Sequence, residues 1–389
     1  MTLNLDKSSW KRVTFGDVVQ NLNSTVRDAK AAGIDRVIAM EHLDPGELKI
    51  SRWGSIEDGS TFTRRVKPGQ TLFGKRRAYQ RKSAFAEFDA ITSGDILVFE
   101  ADDTQILPEF LPFLVQSDGF YDHALGTSAG SLSPRTNWRD LAAYQFDLPP
   151  LDEQKSLAGL FWSVERHRHS LASTNERLEA ARSAVVLDRL NRATRHVDSL
   201  ESLVRPGTTI TYGIVQAGPE VEDGVPYIRV SDMADGKLRL DGMRRTSRLI
   251  AGRFVRSRVK AGDLVVALRG RTGLTLRVPE ELDGANLTQG TARVAIDEEH
   301  AQSDYVLAVM NSEWMTAEVA RQAKGSTFTE LTLAALRRLP IPRLGEATER
   351  ALTAELASMA EALKAKKTEI DGVEAMRAAL NREVFGNAQ

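Results

Sequence analysis

The chain has 389 residues and carries 52 lysines and arginines against 53 aspartates and glutamates, a formal charge of −1. It is too long for one ordinary domain, and its 42% hydrophobic residues exclude a disordered or fibrous protein. Because cysteine is absent, disulfides, thiolate nucleophiles and Cys-ligated zinc are excluded as well. The start lacks the apolar run of a signal peptide and no window resembles a membrane span, so we expect a cytoplasmic protein without a membrane partner.

The first half, residues 1–150, is predicted to be a mixed α and β domain with short strands. Ile96–Phe99 has the length of a strand between turns, whereas Leu107–Gln116 looks helical. Residues 64–82 (RRVKPGQTLFGKRRAYQRK) hold eight lysines or arginines, no acid and two aromatic residues. Charge this dense requires either water or an anionic partner such as a phosphate backbone. The candidate DNA contacts in it are Lys75, Arg76, Arg77, Tyr79 and Arg81.

A long helix is predicted over residues 151–193. From Asp152 to about Asn191 glycine occurs once and proline never, and Pro149-Pro150 cannot continue the helix backwards. Asp152 can cap the first turn. The apolar seam has the seven-residue spacing of a coiled coil and consists of Leu157, Val164, Leu171, Leu178 and Val185.

The second half, residues 194–343, is predicted to be another mixed α and β domain. Tyr227–Val230 and Leu264–Leu268 have the length of strands, and Asp304–Gln322 is expected to be helical. Residues 239–277 contain eleven basic and two acidic residues, and glycines alternate with arginines near their end (LRGRTG). Such glycines let arginines approach a phosphate or a base edge closely. The candidate DNA contacts in this half are Thr209, Tyr212, Arg269 and Arg271.

A second coiled-coil helix is predicted over residues 344–389. The stretch from about Glu346 to Val384 contains no proline and again has apolar residues seven apart. Long helices with a regular apolar seam are typical of surfaces that associate with other helices. The candidate residues of the partner-docking helices are Leu157, Val164, Leu171, Leu178, Leu356, Leu363 and Ile370.

The two halves resemble each other in four segments that follow the same order. This order favours an internal repeat and an α+β fold class, with two globular halves that are each followed by a long helix. The matched segments are Ile38–Ile50 with Ile228–Leu240, Ser93–Val98 with Ala261–Val266, Gly130-Ser131 with Gly325-Ser326, and Phe146–Leu151 with Leu339–Leu344.

The sequence offers little for catalysis. Phosphate-binding loops, dinucleotide fingerprints, zinc-protease motifs and nucleophile elbows are all missing. His167 and His169 lie two apart on a predicted helix and therefore cannot share a metal. Acids at Glu100, Asp102 and Asp103 invite the hypothesis of a magnesium-dependent nuclease, although acids that follow a strand are more often loop caps. We expect no catalytic residue and no metal site.

One segment carries a family resemblance. Phe146–Gln154 (FDLPPLDEQ), running into a long helix, resembles the segment after the first target recognition domain in specificity subunits of type I restriction-modification systems. The resemblance covers essentially the whole chain. The sequence departs from the family pattern at Gly345-Glu346-Ala347, where the family has Glu-Gln. Further similar segments are Gly74–Tyr79, Ile210–Ile214, Arg269–Gly273 and Leu339–Leu344.

The resemblance implies a non-catalytic subunit that binds double-stranded DNA. Two target recognition domains would each read one part of a split target, held apart by two antiparallel coiled-coil helices. The implied partners are two adenine-modification subunits and, where the system has them, restriction subunits. S-adenosylmethionine, ATP and magnesium are implied for those partners, and no cofactor for this chain.

The resemblance has one consequence for the DNA target, and one alternative to it stays open. A helix of about 39 residues at roughly 1.5 Å each spans about 58 Å and would act as a ruler that fixes the gap between the half-sites. The alternative from another class is a coiled-coil scaffold whose globular halves bind protein and whose basic loops are merely solvated. Absence of salt-sensitive DNA affinity would favour that scaffold.

Overall fold

The computed structural model describes residues 5–130, 133–192, 196–234, 236–322 and 330–386. The chain forms two compact units, of which unit 1 comprises Met1–Ala172 and Thr368–Gln389 and unit 2 comprises Ser173–Lys367. Each unit therefore contains part of both long helices. The matched positions Ser131 and Gly325-Ser326 lie outside the described residues.

The elements of unit 1 alternate short strands with short helices. Its strands are β1 (Lys11–Thr14), β2 (Val19–Leu22), β3 (Arg36–Ile38), β4 (Gly54–Ser55), β5 (Arg64–Val66), β6 (Thr71–Gly74), β7 (Ser83–Phe85), β8 (Ala90–Thr92), β9 (Ile96–Ala101) and β10 (Gln145–Leu148). Its α-helices are α1 (Phe15–Val18), α2 (Leu111–Val115), α3 (Asp118–Gly126), α4 (Trp138–Ala142) and the first part of α5 (Leu151–Asn191). Single turns of 3-10 helix span Lys7–Ser9, Met40–His42, Ile56–Asp58 and Ala78–Gln80.

Two four-stranded sheets organise unit 1. One has the order β2-β9-β6-β7 and is antiparallel throughout, and the other has the order β4-β3-β8-β5. In the second sheet β3 and β8 run parallel, with Ile38 opposite Thr92, and the Thr92 hydroxyl donates to the Ile38 carbonyl at 2.7 Å. The chain ends of the domain meet where β1 pairs with β10, directly before α5.

The start of α5 is fixed by a buried glutamine. Gln154 is fully buried, and its side-chain oxygen accepts from the Leu107 N–H at 2.8 Å. Its side-chain nitrogen donates to the carbonyls of Gln105 and Pro149. Because a buried amide with all its hydrogen bonds made has one favourable position, Gln154 sets how α5 leaves the domain.

Both long helices contribute to the core of unit 1. Leu157 and Phe161 of α5 share one apolar cluster with Leu380 and Val384 at the end of the chain, together with the aromatic residues of the domain. The rings of Phe161 and Phe385 stack at 5.9 Å. Burial of this apolar area therefore holds the helix ends to the domain.

Unit 2 contains the remaining elements. Its strands are β11 (Val197–Ser199), β12 (Thr211–Tyr212), β13 (Val225–Ile228), β14 (Met233–Ala234), β15 (Lys237–Leu238), β16 (Arg245–Thr246), β17 (Leu264–Ala267), β18 (Thr275–Arg277), β19 (Asn286–Leu287), β20 (Thr291–Val294) and β21 (Pro340–Pro342). Its α-helices are the rest of α5, α6 (Arg248–Arg253), α7 (Ser303–Met310), α8 (Glu313–Gln322), α9 (Leu333–Arg337) and most of α10 (Glu346–Phe385). Turns of 3-10 helix span Leu200–Leu203, Val230–Asp232, Val255–Ser257 and Glu280–Leu282.

The main sheet of unit 2 has the order β12-β20-β17-β18 and is antiparallel. A smaller sheet has the order β16-β13-β19, in which β13 and β19 run parallel with Ile228 opposite Leu287. Strand β11 pairs with β21 directly before the last helix, α10. Buried Glu349 near the start of α10 accepts two hydrogen bonds from Arg343, which also binds Asp198 at 2.8 Å.

The two predicted long helices are confirmed, and two shorter helices are confirmed only in part. Asp304–Gln322 is two helices, because the Asn311 side chain leaves the helix to bind both backbone groups of Thr275 at 3.1 and 2.8 Å. Leu107–Gln116 is helical only over Leu111–Val115.

One matched pair of segments does not correspond in the sheets. Ser93–Val98 leads into β9, which lies between β2 and β6, whereas Ala261–Val266 leads into β17, which lies between β20 and β18. The glycine-aspartate turn before an apolar strand therefore occurs at two different places in the sheets.

Candidate nucleic-acid interface

The first basic segment is a hairpin loop, residues 75–82, between β6 and β7. The Gly74 N–H donates to the Lys82 carbonyl at 2.8 Å and closes the loop. Inside it Ala78–Gln80 form a 3-10 turn with Ala78 buried, so the loop has one defined shape. We call residues 75–82 the first reading loop.

Three arginines and one carboxylate lie close enough to Lys75 at the base of this loop to influence its charge. Arg76 Nε lies 2.9 Å from Asp95 Oδ1. Burial lowers the pKa of Lys75, opposed by nearby Asp95 and reinforced by the positive charges of Arg64 and Arg135. A lysine whose charge is this weakly compensated gains from a further anion. Arg135 joins the cluster because its backbone pairs with that of Arg76, a contact that the sequence did not indicate.

The outer part of the loop presents Arg77 and Tyr79. Tyr79 is 57% exposed, and Arg77 is exposed with no hydrogen-bond or ion-pair partner for its side chain among the described residues. Arg77 and Arg81 have φ of 53° and 52°, a left-handed conformation that is costly for a residue with a side chain. Such conformations persist where the surrounding structure enforces them and are frequent at functional sites.

Arg81 differs from the other candidates because its guanidinium makes three contacts within unit 1. It pairs with Asp118 at 2.7 Å, donates to the Gln116 carbonyl at 2.8 Å and lies 4.7 Å from the centre of the Tyr121 ring. These contacts hold the end of the loop against α3.

The second basic segment is also a hairpin loop, residues 268–274, between β17 and β18. Gly270 and Gly273 have φ of 71° and 87°, which a residue with a side chain adopts only at a cost. Arg269 is exposed and lies 3.7 Å from Glu330, and Arg271 is exposed and donates to the Met233 carbonyl at 2.9 Å. We call residues 268–274 the second reading loop.

Tyr212 lies on β12, and the chain that follows this strand reaches the second reading loop. Thr209 precedes β12 and does not lie on it. The Gly213 N–H donates to the Thr288 carbonyl, and the Gln289 N–H donates to the Ile214 carbonyl, each at 3.0 Å. Gly213 is required there, because a Cβ would lie 1.9 Å from the Leu287 oxygen. Arg269 lies beside the same turn, within 3.5 Å of the Gln289 oxygen.

Thr209 and Tyr212 are both exposed. Among the described residues, no hydrogen bond joins Thr209 to the second reading loop.

The two reading loops occupy equivalent positions. In each antiparallel sheet, the loop connects the third and fourth strands in spatial order, β6 to β7 in one and β17 to β18 in the other. Both loops are basic, and both begin directly after a buried strand. The two antiparallel sheets therefore carry arginines in the loop between the corresponding pair of strands.

The predicted seam residues pack inside the chain. Leu157 belongs to the core of unit 1, and Val164 and Leu171 pack with Val373. Leu356 belongs to the core of unit 2. The half-buried seam residues are Leu178, Val185, Leu363 and Ile370, of which Val185 packs against the core of unit 2 and Ile370 against the cluster of Val164, Leu171 and Val373.

Asp102, directly after β9, caps a turn, whereas Glu100 lies within β9. The Asp102 side chain accepts from the backbone and hydroxyl of Thr104 and from the Gln105 side chain, and these hydrogen bonds lower the pKa of Asp102. Glu100 accepts from Gln70 at 3.2 Å. Over the described ranges, no group of three or more histidine or acidic side chains is arranged to hold a metal ion. No helix in those ranges is both long and apolar enough to cross a membrane.

Comparison with curated proteins identifies relatives by sequence. The chain is 25% identical over 268 residues to the specificity subunit of the Escherichia coli type I restriction enzyme EcoBI, a match that covers 59% of this chain and 56% of that protein. It is 29% identical over 122 residues to the EcoDI specificity subunit, also from Escherichia coli, covering 31% of this chain and 27% of that protein. The match thus spans little more than half the length of the first relative. No family model matches the chain.

Solved structures identify the fold. A chain from a structure on complex assembly and conformational transition of the type I R-M system has a TM-score of 0.62 at 17% identity, covering 98% of this chain and 99% of that one. The type I restriction-modification S subunit from M. genitalium has a TM-score of 0.59 at 14% identity, covering 100% of both chains. The chain therefore has the fold of type I restriction-modification S subunits. Its sequence is homologous to type I restriction enzyme specificity subunits, which confirms the family resemblance.

Proposed function

We propose that the chain is the non-catalytic DNA-specificity subunit of a type I restriction-modification complex and reads a bipartite target. The observation that carries the proposal is the equivalent placement of two basic hairpin loops in two sheets of the same order. The homology supports the same role. The proposed domains are residues 1–150 and 194–343 for recognition and 151–193 and 344–389 for the coiled-coil helices.

The proposed architecture is an internal pseudo-twofold repeat with two antiparallel helices. Four contacts support it. Strands β3 and β13 each pair in parallel with a later strand, at Ile38 and Ile228. The start of α5 packs with the end of α10 in unit 1, and the end of α5 shares a cluster with the start of α10 in unit 2.

Each reading loop is proposed to contact one half-site. Arg76 and Arg77 in the first loop, and Arg269 and Arg271 in the second, carry the forked donors that bind guanine edges or phosphates. Lys75, Tyr79 and Tyr212 would position the duplex, and Thr209 stays a prediction. Because its guanidinium is engaged, Arg81 is proposed to hold the first loop rather than to contact DNA.

The long helices are proposed to dock two modification subunits, with restriction subunits joining where the system has them. Since the seam residues pack inside the chain, they would keep the helices together, and the outward faces would meet the partners. S-adenosylmethionine, ATP and magnesium are proposed to act in the partner subunits, and catalysis is assigned to them.

The test is a map of modified adenines in cells with and without this gene, repeated with two variants. R76Q/R77Q should alter one half of a split motif and R269Q/R271Q the other, with the gap unchanged. Lys30→Gln, an exposed substitution in the connection between β2 and β3, is the control and should leave the motif intact. A motif that persists without the gene, or variants that alter both halves alike, would contradict the proposal. The scaffold alternative predicts no salt-dependent DNA binding at all.

A further inference from the structure

A second basic surface in unit 2 lies outside the reading loop. It is the segment 248–260, which runs from α6 through the 3-10 turn Val255–Ser257 and contains no acid. Its five cations are exposed, and their side chains have no hydrogen-bond or ion-pair partner within the described part of the chain. They are Arg248, Arg253, Arg256, Arg258 and Lys260.

The segment is held firmly by its few buried residues. Ser247 caps α6 by accepting from the Ile250 N–H at 3.2 Å. The buried Ser257 hydroxyl donates to the Asn286 side chain at 3.0 Å, and that side chain donates to the Ala251 carbonyl at 3.3 Å. The Val259 N–H donates to the Ala285 carbonyl at 2.9 Å. The cations therefore project from a fixed backbone and need little further ordering to bind a ligand.

Two of the arginines converge on one open cleft. Arg248 and Arg258 line it, and its volume is about 420 Å³, ample for a phosphate group. Asp223 and Asp283 also line the cleft, but Asp283 already accepts from the Ala261 N–H at 2.9 Å. The two arginines and two aspartates of the cleft balance in charge, so the excess positive charge of the surface comes from Arg253, Arg256 and Lys260, and an arginine fork suits a phosphate.

The apolar residues of the segment fit DNA better than a protein partner. Leu249 is 72% exposed and Val255 is 57% exposed, each surrounded along the chain by arginines. The centre of a protein interface is depleted of charge, whereas DNA interfaces combine dense positive charge with scattered apolar contacts to sugars and thymine methyls. A polyanion is therefore the occupant that the charge favours.

The surface lies within reach of the duplex that the second reading loop would bind. Arg271 donates to the Met233 carbonyl, and Gly270 lies against Val230, so this loop adjoins the end of β13. The cleft is lined by Val225 and Pro226 at the start of β13. Five residues of extended chain span at most roughly 16 Å, or about five base pairs at 3.4 Å each.

We propose that the 248–260 segment binds the phosphate backbone of duplex DNA a few base pairs from the bases contacted by the second reading loop. This inference rests on the proposed function and adds to it an anchor that does not depend on sequence. In the first half, residues 56–63 (IEDGSTFT) follow β4 as α6 follows β16 and carry no lysine or arginine, whereas Arg65 and Lys67 (in RVKPG) match Arg258 and Lys260 (in RVKAG).

The test uses the full-length chain and two duplexes, one with the mapped motif and one with the same bases shuffled. The slope of log affinity against log salt is negative. In R248Q/R258Q it should be less steep than in the wild type, by about 1.8. Over a fourfold rise in salt, the wild type would then lose about 12-fold more affinity than the variant. Affinity for both duplexes should fall alike, and the modified motif in cells should stay the same.

The matched control is R192Q/R350Q, which removes two exposed arginines already paired with Asp188 and Glu346 on the long helices. It should leave the slope unchanged. A second variant, R253Q/R256Q, tests the same surface if the first fails to fold, as judged by circular dichroism.

The possible failures are distinct. Equal slopes for the surface variants and the control, with a normal wild-type slope, overturn this inference alone. A variant that keeps its DNA affinity but no longer copurifies with modification subunits also overturns it, because the surface would then bind protein. A wild type without salt-dependent DNA binding overturns the proposed function as well.

Discussion

Arg377 Nε lies 2.9 Å from Glu165 Oε1, an ion pair between the two long helices, α10 and α5, within unit 1. The Glu165 side chain is 3% exposed and also pairs with Arg168, whose side chain is 8% exposed. Arg168 in turn binds both carboxylate oxygens of Glu47, in the connection between β3 and β4. Arg377 also donates to the Gly46 carbonyl at 2.7 Å. This buried network ties both helices to one connection of the domain that carries the first reading loop.

Removing Arg168 should destabilise unit 1 strongly. Arg168→Gln removes one of the two arginines that pair with buried Glu165 and the arginine that binds both oxygens of half-buried Glu47, a change that costs up to about 3–5 kcal/mol. The exposed neighbour Arg166 is the matched control, since Arg166→Gln should change the free energy of unfolding by at most about 0.5 kcal/mol. Urea denaturation followed by tryptophan fluorescence measures both. Equal losses would show that the network does not stabilise the unit.

Stability should fall as the medium is acidified through the pKa of unfolded histidine. Burial, followed by the positive charge of Arg168, lowers the pKa of His169 below its ordinary value of 6.5, against the opposing charges of Glu47 and Glu165. The unfolded chain therefore binds the proton first. The contribution of His169 to the free energy of unfolding is fully present above pH 6.5. It is lost as the pH falls toward the lowered pKa of His169 in the folded chain.

The urea midpoint measured from pH 7.5 down to pH 5.5 tests this prediction. His169→Gln should make the fall of the urea midpoint near pH 6.5 less steep. Part of the fall should remain, because other groups also titrate. His167→Gln removes a more exposed histidine of the same helix and serves as the control. An unchanged pH profile for His169→Gln would contradict the assignment.

The left-handed conformation of Arg77 allows its side chain and its backbone to be tested separately. Arg77→Gly and Arg77→Ala both remove the guanidinium, but only alanine retains the cost of φ near 53°. Both variants should weaken DNA binding equally. The free energy of unfolding of the glycine variant should equal that of the alanine variant or exceed it by up to about 1 kcal/mol. If only the alanine variant loses DNA affinity, loop shape rather than the Arg77 side chain determines binding.

The sequence predicted those parts of the fold that depend on local periodicity. Seven-residue spacing and missing prolines located both long helices to within a few residues, because an amphipathic helix records its buried face at every turn. The break at Asn311 was missed because its cause is a pair of hydrogen bonds to Thr275, and a long-range contact leaves no periodic signal.

Charge density predicted the reading loops, but not the state of each side chain within them. Arg77 and Arg81 look alike in the sequence, yet one is exposed and the other binds Asp118. Arg135 was overlooked because only the backbone pairing with Arg76 brings it to the cluster. The roles of these arginines depend on tertiary neighbours that a single sequence does not specify.

Lengthening both long helices by seven residues should widen the unread gap of the target. Duplicating residues 172–178 in α5 and 364–370 in α10 keeps the heptad register and adds about 10 Å, or roughly three base pairs, at about 1.5 Å per residue and 3.4 Å per base pair. Mapping of modified adenines should return the same two half-sites with the longer gap. Duplication in α5 alone is the control and should abolish modification, because α5 would then be about 10 Å longer than α10 and the two helices could not keep their contacts at both ends. An unchanged gap in the double insertion would show that helix length does not set the spacing.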